Sequence, residues 1–332
     1  MPELYSFIIP VYNRPDELGE LLHSIAQLDQ APLFEVIVID DGSTLRSKEI
    51  IERYDFLDIH YYFKENTGPG DSRNFGMRKA VGDYFIILDS DCILAADYLS
   101  SVDRALNEHF VDCFGGPDAA HPSFNLRQRT ISFIMTSFWT TGGIRGNKKN
   151  IKRFEPRSFN MGLSRKAFEQ SLGFGHLHPG EDPELVHRLW EMGFKTSFIQ
   201  NALVYHKRRI TWSSYARQIY RFGLARSILN SWRPQNASWV FWLPSFMVLI
   251  GICSIGLFVL KYYELAYLVL AYALFIACVG MLKIKSIMAL VTVPWAFGIQ
   301  STAYGIGFFQ GWVYLRVLKR DPKKEFSHMF FN

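Results

Sequence analysis

The chain has 332 residues, 49% hydrophobic and 16% aromatic, with 36 Lys and Arg against 31 Asp and Glu for a formal net charge of +5. That length holds one sizeable domain plus something smaller, and the apolar share excludes a disordered chain. Cys92, Cys113, Cys253 and Cys278 lie far apart, which excludes a Cys-x-x-Cys zinc or redox site and fits reduced thiols in a cytosolic domain.

From Met1 the sequence runs directly into a strand-like stretch, Tyr5 to Ile9, without a basic and apolar leader, so the first 230 residues are expected to stay in the cytosol. Asn13 is placed to cap the next helix, with Pro15 and Asp16 in its first turn and Leu18, Leu21, Leu22, Ile25 and Leu28 at helical spacing. Further strands are predicted at Phe34 to Ile39, Ile59 to Phe63 and Tyr84 to Leu88, ending in Asp40-Asp41-Gly42-Ser43, Asn66-Thr67-Gly68-Pro69-Gly70 and Asp89-Ser90-Asp91. Strands alternating with helices predict an α/β fold, and ligands of such sheets bind past the carboxyl ends of the strands.

From Val111 to His206 the pattern loosens, with strands expected at Val111 to Gly115, Ser158 to Leu163 and Thr196 to Ile199, and a helix from about Pro183 to Met192. Leu126 to Arg153 is aromatic and basic without a clean period, and reads as a mobile segment covering the substrate. Seven basic and no acidic residues follow between Lys207 and Arg233: Lys207, Arg208, Arg209, Arg217, Arg221, Arg226 and Arg233. Beside a bilayer segment, and with no nucleic-acid recognition motif, such a belt suits anionic membrane lipids or a lipid-linked phosphate, and no nucleic-acid partner is expected.

Three stretches carry no Asp, Glu, Lys or Arg: Pro234 to Leu260, Leu265 to Leu282, and Ser286 to Leu315. Each approaches or exceeds the roughly 20 apolar residues that span a hydrocarbon core. The third contains Pro294, Gly298, Gln300, Gly305, Gly307 and Gln310, so one bent helix and a hairpin of two both fit it. Because the tail from Arg316 to Lys324 is basic like the belt before Pro234, the positive-inside rule asks for an even number of crossings. The expected organisation is a cytosolic domain at 1–206, a basic amphipathic segment at 207–233, a membrane region at 234–315 and a basic tail at 316–332. A multi-pass protein of the inner or plasma membrane is implied.

The acidic turns are where chemistry concentrates. Asp89 and Asp91 can both face one hard cation and leave its other positions to diphosphate oxygens, although such pairs also cap helices. Asp40 and Asp41 end another strand; four carboxylates at one sheet edge repel unless a cation or specific hydrogen bonds offset them. Asn66 to Arg73 offers backbone N–H groups, a helix start and a guanidinium to negative oxygens. His178-Pro179-Gly180-Glu181-Asp182-Pro183 opens a helix on an acidic pair, which reads either as an N-cap or as a base for a sugar hydroxyl.

Ile9-Pro10-Val11-Tyr12-Asn13, Asp40-Asp41-Gly42-Ser43, Gly68-Pro69-Gly70 with Arg73-Asn74, Asp89-Ser90-Asp91 and Glu181-Asp182 stand in the order seen in family 2 glycosyltransferases. The resemblance covers roughly residues 4 to 230 and extends to membrane-anchored enzymes of bacterial exopolysaccharide and capsule synthesis. It implies the GT-A fold, a mixed and mostly parallel sheet with helices on both faces, followed by transmembrane helices. By the same resemblance Pro10, Tyr12, Asp40, Asp41 and Arg73 would bind the nucleotide, and Asp89 and Asp91 would hold Mn²⁺ or Mg²⁺. Asp182 would be the general base, Glu181 would shape the acceptor site, and Asn160, Met161 and Gly162 would underlie the donor sugar.

Gln218-Ile219-Tyr220-Arg221-Phe222 resembles the Gln-x-x-Arg-Trp element of membrane polysaccharide synthases, with Phe in place of Trp. The competing reading is an amphipathic helix with Trp212, Tyr215, Ile219 and Phe222 in the membrane interface. His206 is a candidate contact for the diphosphate or metal, with Gln218 and Arg221 beside it for diphosphate or acceptor.

The expected activity is inverting, metal-dependent transfer of a sugar from a nucleotide diphosphate, UDP by resemblance, to a hydroxyl of a lipid-linked or membrane-associated glycan. Two rivals are a polyprenyl-phosphate glycosyltransferase, whose acceptor is already ionised, and a non-catalytic scaffold that retains the fold. No Gly-x-Gly-x-x-Gly follows the first strand, which excludes a dinucleotide dehydrogenase.

Overall fold

A computed structural model describes residues 2–121, 123–141, 154–207 and 211–331. The first half runs β1 (Tyr5–Val11), α1 (Pro15–Ala26), β2 (Phe34–Asp41), α2 (Lys48–Ile51), β3 (Ile59–Lys64), α3 (Pro69–Lys79), β4 (Tyr84–Leu88), β5 (Cys92–Leu94), α4 (Tyr98–Glu108), β6 (Cys113–Gly115), β7 (Asp118–Ala119), α5 (Leu126–Thr136) and α6 (Phe138–Thr141). Then come β8 (Asn160–Ser164), α7 (Arg165–Ser171), α8 (Glu181–Glu191), β9 (Thr196–Phe198), β10 (Val204–His206), α9 (Trp212–Trp232), α10 (Leu243–Val259), α11 (Glu264–Ile284), α12 (Ala289–Trp312) and α13 (Pro322–Glu325).

Strands β1, β2 and β4 are apolar on both faces because helices cover both sides of the sheet. Side-chain alternation sends Phe7, Ile9, Val36, Val38 and Ile86 into a core shared with α1 and α4. Ile8, Ile37, Ile39, Phe85 and Ile87 enter the opposite core with α3, α7 and α8. The main sheet has the order β3-β2-β1-β4-β8-β6-β9. Its first four strands are parallel, and β8 runs antiparallel to both neighbours. The carboxyl ends of β1 to β4 therefore open on one edge, as the acidic turns require. A small sheet, β5-β10-β7, pairs His206 with Cys92 beside the turn after β4.

Several expectations change. Arg14, not Asn13, holds the N-cap position of α1. Asn13 sits at φ 53° and its side-chain oxygen accepts from Thr44 N, Thr44 Oγ1 and Leu45 N, lacing the loop after β1 to the loop after β2. Asn tolerates that left-handed backbone, and three donors outweigh one cap. Helix α8 begins at Glu181 with Gly180 as its N-cap residue, so the acidic pair lies in the first turn.

Within 126–153, residues 126–136 form helix α5, closed by an Asn125/Gln128 capping box, while 142–153 lie outside the described residues. The described part of the expected covering segment is thus packed: Ile131 and Met135 meet Tyr215 and Ile219 of α9. Tyr215 and Ile219 are buried against protein, with Trp212 and Phe222 partly buried beside them. The Tyr215 hydroxyl donates to Gln300 Oε1 at 2.9 Å.

The third apolar run is one continuous helix with Pro294 inside it, followed by a single π-helical turn over Val313–Val317. α12 lies alongside α9 in parallel, from Tyr215 at Gln300 to Ser227 at Phe308 and Gly311. Glycines permit the approach: a Cβ on Gly223 would meet the Tyr304 carbonyl and come within 2.7 Å of Phe308 N, and one on Gly307 would meet the Tyr220 carbonyl. Among the described residues, two helices are long and apolar enough to cross a membrane, Trp239–Val259 and Glu264–Ile284, with mean hydropathy 2.1 and 2.4. Only 6% and 17% of them are buried, which separates them from the core helices of a soluble protein.

Candidate active site

Arg73, on the inner face of α3, joins the two acidic motifs. It is 3% exposed, donating through Nη2 to Asp89 Oδ1 at 2.7 Å and through Nη1 to Glu181 Oε1 at 3.0 Å. Burial works against its charge, but Asp89 and Glu181 more than offset this and raise its pKa. Glu181 also lies 3.1 Å from His178 Nδ1 through both oxygens. Burial pushes its carboxyl up, yet His178 and Arg73 together bring it down to about 2. Glu181 is thus a fixed anion, and Asp89 is tied to the guanidinium beside it.

Asp91 has a different set of neighbours. Its Oδ2 accepts from Arg14 Nη1 at 2.6 Å, and its Oδ1 lies 3.0 Å from His206 Nε2. Burial raises its pKa, but His206 and Arg14 hold it below the usual carboxylate range. Although close to the imidazole, Asp91 Oδ1 makes no aligned hydrogen bond and is buried, as is His206 Nδ1. The His206 ring stacks on Phe159, with centroids 4.8 Å apart, which fixes its plane.

Asp91 Oδ1 and His206 Nε2, a buried carboxylate oxygen and an imidazole nitrogen 3.0 Å apart, are a donor pair that fits a divalent cation. The mixed O and N pair suits Mn²⁺ better than Mg²⁺, which prefers oxygen throughout. Cys92 Sγ lies within 4.8 Å of the same atoms, but burial pushes its thiol well up, which keeps it protonated and a poor ligand. Of the expected pair Asp89 and Asp91, therefore, Asp91 faces a second metal-type donor and Asp89 faces Arg73.

Asp182 Oδ2 stands 3.7 Å from Arg157 Nη1. Behind it, Glu155 accepts from Arg226 Nη1 at 3.2 Å and Nη2 at 2.8 Å, and from Arg157 Nη2 at 3.2 Å, with His187 Nε2 at 3.1 Å. Burial disfavours the Glu155 anion, but Arg226, His187 and Arg157 hold its carboxyl well below the usual range. The network runs from α9 through Glu155 and Arg157 to the first turn of α8.

The expected nucleotide residues divide in two. Asp40 accepts from Ser43 N at 2.9 Å and Tyr61 OH at 2.7 Å, and so braces the turn after β2. Asp41 accepts from Lys64 Nζ at 2.5 Å, Thr67 N at 3.0 Å and Gly68 N at 3.0 Å. Two backbone donors of 66–70, Thr67 N and Gly68 N, thus serve Asp41. Tyr12 is 52% exposed at the rim of this edge, just past Pro10 in β1.

β8 lies beside β4 with Asn160 opposite Leu88. Asn160 accepts from Tyr98 OH at 2.7 Å and donates to Ala202 O at 2.7 Å, Met161 is in the core, and Gly162 packs under the Phe114 ring. All three are buried in β8, next to the strand that ends in Asp89. Gln218 is exposed on α9, and Arg221 Nη2 donates to His328 O at 2.7 Å. Arg208 and Arg209 of the basic belt lie outside the described residues.

Sequence reasoning missed Arg14, Lys64, Arg157 and Glu155. Arg14 carried a signal, a cation just past the end of β1 at the ligand edge. Arg157 and Glu155 follow the aperiodic stretch and carried none.

The family described as Glycosyl transferase family 2 matches residues 6–172, half of the chain, from β1 to just past α7. The poly(ribitol-phosphate) beta-N-acetylglucosaminyltransferase TarS of Staphylococcus aureus is 33% identical over 112 residues, which are 32% of this chain and 20% of TarS. The putative teichuronic acid biosynthesis glycosyltransferase TuaG of Bacillus subtilis is 40% identical over 92 residues, 26% of this chain and 36% of TuaG. The chain thus spans well under two thirds of those two relatives. Glycosyltransferase GlyG of Streptococcus pneumoniae is 25% identical over 247 residues, 69% of this chain and 78% of GlyG. Among solved structures, the mannosyltransferase PcManGT of Pyrobaculum calidifontis, in complex with GDP-Man and Mn²⁺, superposes with a TM-score of 0.58 at 17% identity. That overlap covers 96% of this chain and 88% of PcManGT, and shows a shared GT-A-like fold. With its acidic turns on the ligand edge of that fold and half its length matching one family, the chain belongs to glycosyl transferase family 2.

Proposed function

We propose that the protein transfers a sugar from a nucleotide diphosphate donor to a hydroxyl of a membrane-associated, lipid-linked glycan, with inversion at the anomeric carbon. The observation that carries this reading is the single linked cluster of Asp89, Arg73 and Glu181, with Asp91 and His206 on the donor side and Asp182 on the other. UDP is favoured over GDP by the motif resemblance, and a cell-surface polysaccharide context by the names of TarS and TuaG.

In this mechanism Asp91 and His206 would hold a divalent cation, Mn²⁺ before Mg²⁺, and the bound ion would supply positive charge beside the departing diphosphate. Asp182 takes the proton of the acceptor hydroxyl as its oxygen attacks the anomeric carbon, and the electron pair of the breaking C–O bond leaves with the diphosphate. Glu181 stays ionised and orients the acceptor, while Arg73 fixes it relative to Asp89. Pro10, Tyr12 and Asp41 are proposed to border the nucleotide, with Asn160, Met161 and Gly162 beneath the donor sugar.

Residues 1–206 form the cytosolic catalytic domain in this reading, and 234–315 the membrane region of a multi-pass inner or plasma membrane protein. The exposure of α10 and α11 supports two crossings by those helices, while α12 stays beside α9. Two is the even number that basic segments on both flanks ask for.

Purified enzyme should release nucleotide from a UDP-sugar, tested beside GDP-sugars with membrane extract as acceptor, only when a divalent cation is present. Asp182→Asn should cut that release by about a hundredfold or more. Unchanged turnover would remove Asp182 as the base.

A further inference from the structure

The segment after α13 returns from the apolar helices to the crevice. Phe326 and Met329 are buried with Leu177, in the loop before α8, and with Leu224, Ile228 and Leu229 of α9. The backbone then lies along that loop in an antiparallel bridge between Phe330 and Leu177. His178 N donates to Met329 O at 2.7 Å, and Phe331 N donates to His176 O at 2.9 Å. On the other side Arg221 of α9 donates to His328 O at 2.7 Å. The Gln-x-x-Arg-Phe motif thereby holds a piece of this chain's own backbone.

Phe331 completes the arrangement. Its ring lies so close to Gly68 that a Cβ there would come within 2.6 Å of it, and it faces the His178 ring at 5.5 Å. One short strip thus touches both walls of the crevice. Gly68 donates to Asp41 on the nucleotide side, and His178 contacts Glu181 on the side of the base. From Phe331 the contacts continue through His178, Glu181 and Arg73 to Asp89.

We propose that residues 326–331 are an acceptor-side strap of the active site, with Phe331 its specificity-determining residue. The strap fixes the loop that leads into Glu181 and Asp182, and it screens that side of the crevice from water. Transfer and hydrolysis break the same bond, from the anomeric carbon to the diphosphate, and in both the nucleophile's proton goes to Asp182. They differ only in which hydroxyl attacks, so a wall that positions a glycan and excludes water sets their ratio. The inference rests on the glycosyltransferase reading of the site. Its geometric half, the holding of the loop, is independent of that reading.

The test uses the full-length protein in detergent, Phe331→Ala, and a chain ending at Glu325. Hydrogen exchange at His176, Leu177 and His178 should rise by about tenfold or more in the shortened chain. In both variants the ratio of transfer to donor hydrolysis, read as nucleotide release with and without membrane extract, should fall by about tenfold. Phe331→Leu, which keeps an apolar contact, should retain most of the ratio. Unchanged exchange at the loop would overturn the strap, and so would equal losses of transfer and hydrolysis in Phe331→Ala. A wild-type chain that releases no nucleotide from any sugar donor would instead count against the glycosyltransferase reading, with the exchange result still deciding the strap.

Discussion

A guanidinium enclosed by two carboxylates, as Arg73 is by Asp89 and Glu181, is stable only as a set. Removing the cation leaves the buried Glu181 carboxylate without its guanidinium partner, with the part-exposed Asp89 beside it. Arg73→Met should therefore cost about 3–5 kcal/mol in urea unfolding, the range for breaking a buried pair by losing one partner. Arg73→Lys should recover only part of it, because an ammonium lacks the two-pronged fork that reaches both acids. Glu155 makes a separate, pH-dependent contribution. Its folded pKa lies well below the ordinary value of 4.5, so the stabilisation is complete above about pH 4.5 and is lost as pH falls through the folded value. Thermal midpoints taken from pH 7 down to 3 should decline more steeply in wild type than in Glu155→Gln. Equal slopes would show that the Arg226 and Arg157 contacts do not hold the anion.

At the scale of elements, the seam between α9 and α12 ties the catalytic part to the apolar helices. Gly223 and Gly307 face the opposite backbone across it, so a side chain at either forces the helices apart. Gly223→Val should destabilise by about 1–3 kcal/mol, the usual cost of overpacking, seen as a lower Tm in detergent. Gly251→Ala, where a Cβ meets open space, should leave the Tm near that of wild type. The parallel strands and their acidic ends were legible in the sequence because buried strands read as continuous apolar runs and the carboxylates follow them directly. The packing of helix α9 was not, since one basic and aromatic pattern suits a lipid surface and a partner helix equally. Its Gly223 was the mark of close helix contact. The small sheet that presents His206 escaped because its three strands are two or three residues long and pair across distant parts of the chain.

For the whole molecule, the exposed faces of α10 and α11 set the expected behaviour. Ile255, Val259, Leu268 and Leu282 are each more than 60% exposed, a surface that water does not tolerate over two full helices. The chain should stay with membranes through an alkaline carbonate wash. A reporter joined after residue 332 should lie in the cytosol, and a tag between residues 260 and 263 should lie outside. An extracytoplasmic reporter after 332 would refute two crossings.

The contact of Arg73 with both acidic motifs has a thermodynamic consequence. On the proposed reading, one cation serves a carboxylate on the donor side and a carboxylate on the acceptor side, so the two substrates would draw on a shared charge. If a donor diphosphate attracts Arg73 and loosens its hold on Glu181, acceptor affinity changes by some factor. Linkage then requires the acceptor to change donor affinity by that same factor. Equilibrium titrations in either order should return one coupling constant, and Arg73→Met should bring it to unity.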